Sequence, residues 1–295
     1  MSAPEAARQE AYAPRRFAGT GHSVPFVGTR SGTLASLSWA VLMSTLHRVR
    51  RGEGVLLAVN LSLVAQQGAG AARATAQVLV SALAILVMYA FNDLYDAPTD
   101  WNNPKKDRAL IRVYVRNRGA GIVATLVLKA VTLAIAFATL GPRATAAVAG
   151  VMIVNVVYSI VFKGVPVVDV AWVWLWGALY ATIVEAPASL VVLVGLMTAI
   201  CHLFQAVDDR GPDAENGIRT TAVRSPALAR NVLLALVLLL SVVLRGPLGM
   251  AGALTAFTPL ALFFAVRDPG TGWVLTKVYF GVMWLYLLGL SGAAG

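Results

Sequence analysis

Six aspartates sit in two short stretches of a chain otherwise poor in charge. "FNDLYDAPTD" (91–100) carries Asp93, Asp96 and Asp100, and "DDRGPDAENG" (208–217) carries Asp208, Asp209 and Asp213. At about 100° per residue, Asp93, Asp96 and Asp100 fall within roughly 60° of one another on a helix. Asp209 and Asp213, four apart, share a face in the same way. Carboxylates that close repel one another and resist ionisation, and each costs a few kcal/mol at membrane depth. Neither cluster has a Lys or Arg built in at helical spacing, although "KKDR" follows the first. Mg²⁺ is the natural counter-charge, because it takes carboxylate oxygens, keeps some waters and bridges to substrate phosphates. The bland alternative is a set of loop acids solvated just outside the membrane. Two clusters at equivalent places favour a site, and Lys163 and Arg108 then suit a diphosphate, as point charge and as fork.

The elements that must position these acids are hydrophobic helices. Of 295 residues 58% are hydrophobic and 13% charged, and the mean hydropathy is +0.72. A soluble domain carries roughly 25% charge, so the composition predicts an integral membrane protein. Long unbroken apolar runs, rather than alternating ones, make it all-α. Nine windows near 20 residues are long enough to span: about 53–71, 74–93, 118–140, 143–162, 166–185, 187–206, 226–244, 247–266 and 273–293. Residues 33–51, ending in a basic cluster, read as an interfacial helix ahead of the spans, and 1–32 as a polar, mobile tail without a signal-peptide core. The second, fourth and sixth windows end on one side, where "NDLYDAPTD", "YSIVFKG" and "DDRGPDAENG" emerge. That side also collects Arg48, Arg50, Arg51, Lys105, Lys106, Arg108 and most other cations. The positive-inside rule makes it cytoplasmic, in a membrane of the bacterial inner type. The net charge of +10 is read as basic loops beside anionic lipid, with no nucleic-acid partner. The lone Cys201 excludes an intrachain disulfide and a thiolate metal cluster.

On these motifs the chain resembles the UbiA superfamily of intramembrane prenyltransferases. "NDLYDAPTD" matches that family's NDxxDxxxD motif with all four residues intact, and "DRGPDAENGIRT" is similar to its DxxxDxxxGxxT motif, with Asp209, Asp213, Gly217 and Thr220 in register. "YSIVFK" is similar to its Tyr…Lys element after the fourth span. The resemblance implies a nine-helix bundle around a lipid-open central cavity. In it Mg²⁺, bound by Asp93, Asp96, Asp100, Asp209 and Asp213, would hold a polyprenyl diphosphate contacted by Asn92, Tyr158, Lys163 and Arg108. It further implies ionisation to an allylic carbocation that alkylates a small acceptor, expected to be aromatic. The physics agrees: fixed cations stabilise the departing diphosphate charge, and an apolar bundle keeps water from quenching the carbocation. Tyr89, Tyr158 and Phe204 are candidate aromatic faces for that cation, or ordinary packing.

The sequence departs from the pattern in several places. The Arg-Pro pair that commonly follows the first motif reads Arg108-Ala109, and its small-residue turn is replaced by "IRVYVRN", expected as a covering loop. Arg112, Arg116 and Arg118 there read as headgroup contacts, or as a receptor for an acidic acceptor. Pro98 predicts that the helix stops near Asp96, with Asp100 ligating from a turn. Ala206 stands where some members carry a further Asp, with Asp208 beside Asp209 instead.

Other polar residues lie within the spans. Lys129 sits about 16 Å along the third window and is read as functional, snorkelling or paired. Asn60 reads as a helix–helix contact or an acceptor ligand, and His202 and Gln205 as cavity-lining positions. "WVWLWG" (172–177) reads as packing, and Asp169 as a cap or a partner of Lys163. The same metal-diphosphate site would also serve a terpene cyclase or a transferase to a phosphoribosyl acceptor. A secondary transporter is the remote alternative, disfavoured because its ion sites lie near the bilayer midplane.

Overall fold

The computed structural model describes residues 38–293 apart from 40, 44, 47–53, 102, 104 and 105. The expected tail (1–32) and Arg48 therefore lie outside the described residues, as does much of the expected interfacial helix. Its described members Trp39, Leu42 and Leu46 are helical and exposed.

Among the described residues every regular element is helical. In chain order they are α1 (Val55–Gln66), α2 (Ala71–Asp100), α3 (Arg108–Leu140), α4 (Pro142–Val157) continued by a π turn (Tyr158–Phe162), and α5 (Val168–Thr182). Then follow α6 (Ala188–Asp208), α7 (Arg210–Glu215), α8 (Thr221–Arg224), α9 (Pro226–Thr255), α10 (Thr258–Ala265) and α11 (Pro269–Ala293). Six stretches are long and apolar enough to cross a bilayer: 71–100, 108–140, 142–162, 188–208, 226–265 and 269–290. All nine windows fall on helix, but not all at spanning length. The helix α1 has 12 residues and α5 has 15, short of the roughly 20 that a hydrocarbon core requires.

Within α9 the chain turns back on itself. Gly249 takes φ 62° and ψ −149°, two residues after Pro247. Ser241 then donates to the carbonyl of Ala253 at 3.0 Å, although twelve residues of straight helix would separate them by about 18 Å.

Two boundaries differ from expectation and both bear on the site. The helix α2 does not stop at Asp96; it runs through Pro98 to Asp100. Pro98 lacks the N–H that would bond the Leu94 carbonyl. Instead Arg118 donates from Nε to Leu94 O and from Nη2 to Tyr95 O, each at 3.2 Å. The guanidinium also lies 5.3 Å from the Tyr95 ring. Arg118 thus serves the backbone of α2, while Arg112 and Arg116 are exposed. The second correction concerns the expected loop over 109–118, which is the first turns of α3. Asp107 starts that helix as its N-cap, Oδ1 accepting from the N–H of Ala109 (2.8 Å) and of Leu110 (3.4 Å).

Small residues let the central helices close on one another, as lipid-embedded packing requires. A Cβ on Gly177 of α5 would lie 2.3 Å from Thr198 Oγ1 of α6, and one on Gly195 would lie 2.9 Å from the Trp174 carbonyl. This close seam brings the first turns of α5 and the last turns of α6, which carry the second Asp motif, against a common space.

Candidate active site

Because α2 survives past Pro98, Asp93, Asp96 and Asp100 remain on one helical face, and all three line a single cavity of about 310 Å³. Asp93 is buried, 6% exposed. Asp96 and Asp100 have found cations that helical spacing did not offer. Lys163 reaches Asp96 Oδ2 at 2.5 Å, and Lys106 reaches Asp100 Oδ2 at 3.1 Å.

Lys163 gets there through the π turn. On an α-helix Tyr158 and Lys163, five residues apart, would point about 140° away from each other. The wider winding, closed by the Lys163 N–H on the Tyr158 carbonyl at 2.8 Å, returns them to the same cavity wall. Tyr158 Oη lies 3.4 Å from His202 Nε2, and the two rings meet edge to face. Burial alone would lower the Lys163 pKa, but the facing Asp96 carboxylate outweighs it and the net direction is upward.

The second motif is held by a residue the sequence reading undervalued. Asp169, at the start of α5, is fully buried and accepts from the Thr221 backbone N–H (2.8 Å), the Thr221 hydroxyl and the Val170 N–H (2.9 Å). It neither pairs with Lys163 nor merely caps its own helix. Thr221 Oγ1 in turn accepts from the Val167 N–H at 2.7 Å. Val167 is held at φ 70°, a costly conformation for a β-branched residue. Asp169 therefore ties the segment after the second motif to the turn that follows Lys163. Gly217 takes φ 71°, which explains a glycine there, and Thr220 caps α8 through its side chain.

The acids of the second motif face those of the first across the cavity. Asp208, Asp209 and Asp213 all line it, and Asp208 also lies against Gly270 at the start of α11. The Asp213 pKa is raised to about 7. Burial is the main cause; Lys163 opposes the shift, while Asp209, Asp96 and Asp100 add to it. Two motifs more than a hundred residues apart thus share one electrostatic site.

The donor set is oxygen only, the kind that suits Mg²⁺. Among the described residues no three acids or other ligating side chains gather closely enough to hold an ion alone.

Behind the acids the lining turns apolar and aromatic, with Met88, Tyr89, Trp172, Trp176, Met197 and Phe280. Trp172 donates its indole N–H to the Val154 carbonyl at 2.8 Å, and Trp176 points its N–H at Met88 Sδ, 2.9 Å away. Two of the three tryptophans of "WVWLWG" therefore form cavity wall, which corrects the packing reading; Trp174 faces Gly195. Asn92, His202 and Gln205 line the cavity too. Other expected members do not. Arg108 is exposed at the start of α3 and its place on the wall is taken by Lys106. Asn60 is buried between helices, donating to Ser81 Oγ (3.1 Å) and to the Tyr180 carbonyl (3.0 Å). Phe204 packs edge to face on Phe263.

Comparison with known proteins identifies the family and the fold. The model of the UbiA prenyltransferase family matches residues 55–291. A lycopene elongase/hydratase of Haloarcula japonica is 37% identical over 145 residues, 46% of this chain and 48% of that protein. A lycopene elongase/hydratase of Haloferax volcanii is 32% identical over 145 residues, 46% and 47% of the two chains. The chain thus spans about half the length of the curated relatives it matches. Among solved structures, a UbiA homologue from Archaeoglobus fulgidus bound to GPP and Mg²⁺ superposes with a TM-score of 0.61 at 20% identity, covering 82% of this chain and 96% of that one. The same homologue bound to DMAPP and Mg²⁺ gives 0.56 at 20% identity, over 87% and 97%. At such identity the likeness speaks for the fold. With the family model matched from 55 to 291, the chain belongs to the UbiA prenyltransferase family of membrane enzymes.

Proposed function

We propose that the chain moves an isoprenyl group from a prenyl diphosphate to an acceptor carbon, using Mg²⁺ between the two Asp motifs. One observation carries the reading: helices distant in sequence bring NDxxD, Lys163 and DxxxD to one cavity whose inner wall is apolar and aromatic. Asp93, Asp96, Asp209 and Asp213, with Asp100 beside them, are the residues to hold Mg²⁺. Bound there, the metal supplies positive charge to the leaving diphosphate. Asn92, Lys163, Tyr158 and, in place of Arg108, Lys106 face the same group. The aromatic wall excludes water while the allylic cation exists and presents ring faces to it. The full proposal includes nine membrane-crossing helical segments, a cavity open to lipid, and a motif-bearing mouth on the cytoplasmic side, where the basic loops lie.

For the acceptor, two readings stand. The sequence alone suggests a small aromatic molecule. The relatives' names instead point to a linear polyene such as lycopene, and the apolar lining behind the acids favours this second reading. Purified protein is given GPP or DMAPP, Mg²⁺ and either acceptor class, with diphosphate release and product mass followed together. A mass gain on the acceptor supports transfer. A cyclised hydrocarbon formed without acceptor supports the cyclase alternative, and transfer to a phosphoribosyl compound the other one. Undiminished turnover in Asp93→Ala with Asp209→Ala, or in excess EDTA, would refute the site.

A further inference from the structure

A polar chain runs from Lys129, which the reaction scheme does not use, through Asn155, itself on the cavity wall, to Asn92. Lys129, 5% exposed on α3, donates to Asn155 Oδ1 at 2.8 Å. Asn155 Nδ2 donates to Asn92 Oδ1 at 2.8 Å, and Ser159 Oγ also contacts Asn92 Oδ1, at 2.7 Å. Among the described residues no carboxylate pairs with Lys129. The Phe91 ring, one residue before Asn92, lies 4.2 Å from its Nζ, a placement that rewards a cation. A lysine at this depth is costly to keep without a function.

The chain has a direction, and only Lys129 can set it. An amide side chain can bond in two orientations, with oxygen and nitrogen exchanged. Ser159 cannot decide between them. Its single proton is shared between Asn92 Oδ1 and the Asn155 carbonyl at 3.0 Å, and a hydroxyl accepts as readily as it donates. An ammonium only donates. It therefore turns Asn155 Oδ1 toward itself, which turns Asn155 Nδ2 toward Asn92 and occupies Asn92 Oδ1. What Asn92 has left to present to the cavity it lines is its Nδ2, with two hydrogens.

The geometry points to Lys129 as a positioning residue that fixes the amide of Asn92 with N–H donors facing the diphosphate. This inference rests on the proposed function, which places a diphosphate beside Asn92. Reversed, the same amide would present a carbonyl oxygen to an anion. A hydrogen bond to a charged group carries roughly a tenfold or larger share of affinity.

The test measures binding of a non-ionising geranyl thiodiphosphate with Mg²⁺ to the full chain, together with thermal stability. Asn92→Ala is expected to weaken binding about tenfold, and Lys129→Met to approach that loss. Lys129→Arg, whose guanidinium likewise only donates, is expected to recover most of it. Combined with Asn92→Ala, Lys129→Met is expected to add nothing further, because its effect passes through Asn92. Binding by Lys129→Met equal to the wild type, or a loss that adds in full to that of Asn92→Ala, overturns the inference. Where Lys129→Met does not fold, Asn155→Leu, neutral and unable to donate to Asn92, asks the same question: affinity should fall as far, with nothing added by Asn92→Ala, and wild-type affinity would overturn the inference. A wild-type protein that binds no analogue takes down the proposed function and this inference together.

Discussion

Arg118 and Pro98 make a pair whose energetics can be separated. Pro98 removes the donor for the Leu94 carbonyl, and Arg118 replaces it while also bonding Tyr95. Leu94 is fully buried, so its carbonyl has few other partners. Arg118→Ala removes two charge-assisted bonds, each worth about 1.5–3 kcal/mol. Arg118 is only partly buried, so the lower end applies and the joint loss is about 2–3 kcal/mol. At about 2–4 °C per kcal/mol for a domain of this order of size, thermal unfolding in detergent should begin about 4–12 °C earlier. Magnesium-dependent diphosphate release should fall with it, because Asp96 and Asp100 lie on the turn that frays. Pro98→Ala restores a backbone N–H aimed at Leu94 O. In the Arg118→Ala background it should recover about 1 kcal/mol; with Arg118 present it should gain little. The double-mutant cycle isolates that difference. If Pro98→Ala changes the midpoint equally in both backgrounds, the carbonyl-capping argument is wrong.

Three other outcomes follow from the geometry. Asp169→Asn keeps the volume but turns an amide nitrogen toward donors, so it should cost about 1–3 kcal/mol; loss of Mg²⁺-diphosphate affinity alongside the lower midpoint is the measurement that checks it. Gly177→Ala places a methyl against Thr198 and should cost about 1–3 kcal/mol by overpacking, with Gly177→Ala plus Thr198→Ala, which removes the nearest clashing atom, recovering part of it in the same unfolding assay. Asp213, raised to about 7 from an ordinary 3.8, holds a proton in the folded metal-free chain that the unfolded chain has lost. Its contribution to stability is therefore present below pH 4 and lost as pH rises toward 7. If Asp213 holds Mg²⁺ as proposed, the metal takes the place of that proton, so the increase in unfolding midpoint on adding Mg²⁺ should be larger at pH 8 than at pH 6, and Asp213→Asn should flatten the difference.

What the sequence made legible was chemistry written at short range. The spacing of Asp93, Asp96 and Asp100, and of Asp209 and Asp213, follows from helix geometry, and both sets do line one cavity. What it hid was set by partners far along the chain. Nothing near Pro98 says that Arg118 will bond the carbonyls it leaves free, and nothing near Asp169 points to Thr221, 52 residues on. Arg108 looked like the phosphate ligand because it is an arginine in the motif's wake, yet α3 starts at that residue and leaves it exposed, with Lys106 on the wall instead. In a helix apolar all round, such as α5, periodicity also gives no clue to which tryptophans face a cavity. Helix length was hidden too: α1 and α5, at 12 and 15 residues, are shorter than the windows drawn around them.

The π turn between Tyr158 and Lys163 makes length, more than composition, the sensitive property of that segment. It delays the winding of the chain so that an aromatic hydroxyl and an ammonium arrive in phase. Adding one residue within Ser159–Phe162 would set the lysine six positions from Tyr158, about 120° away at ordinary winding, carrying the ammonium off the wall, whereas removing one would leave the two four apart and within about 40° of each other. Replacing Ile160 or Val161, whose side chains are exposed, leaves the count intact. Tolerance to exchange and to deletion, and intolerance to insertion, should therefore coexist within the same five positions.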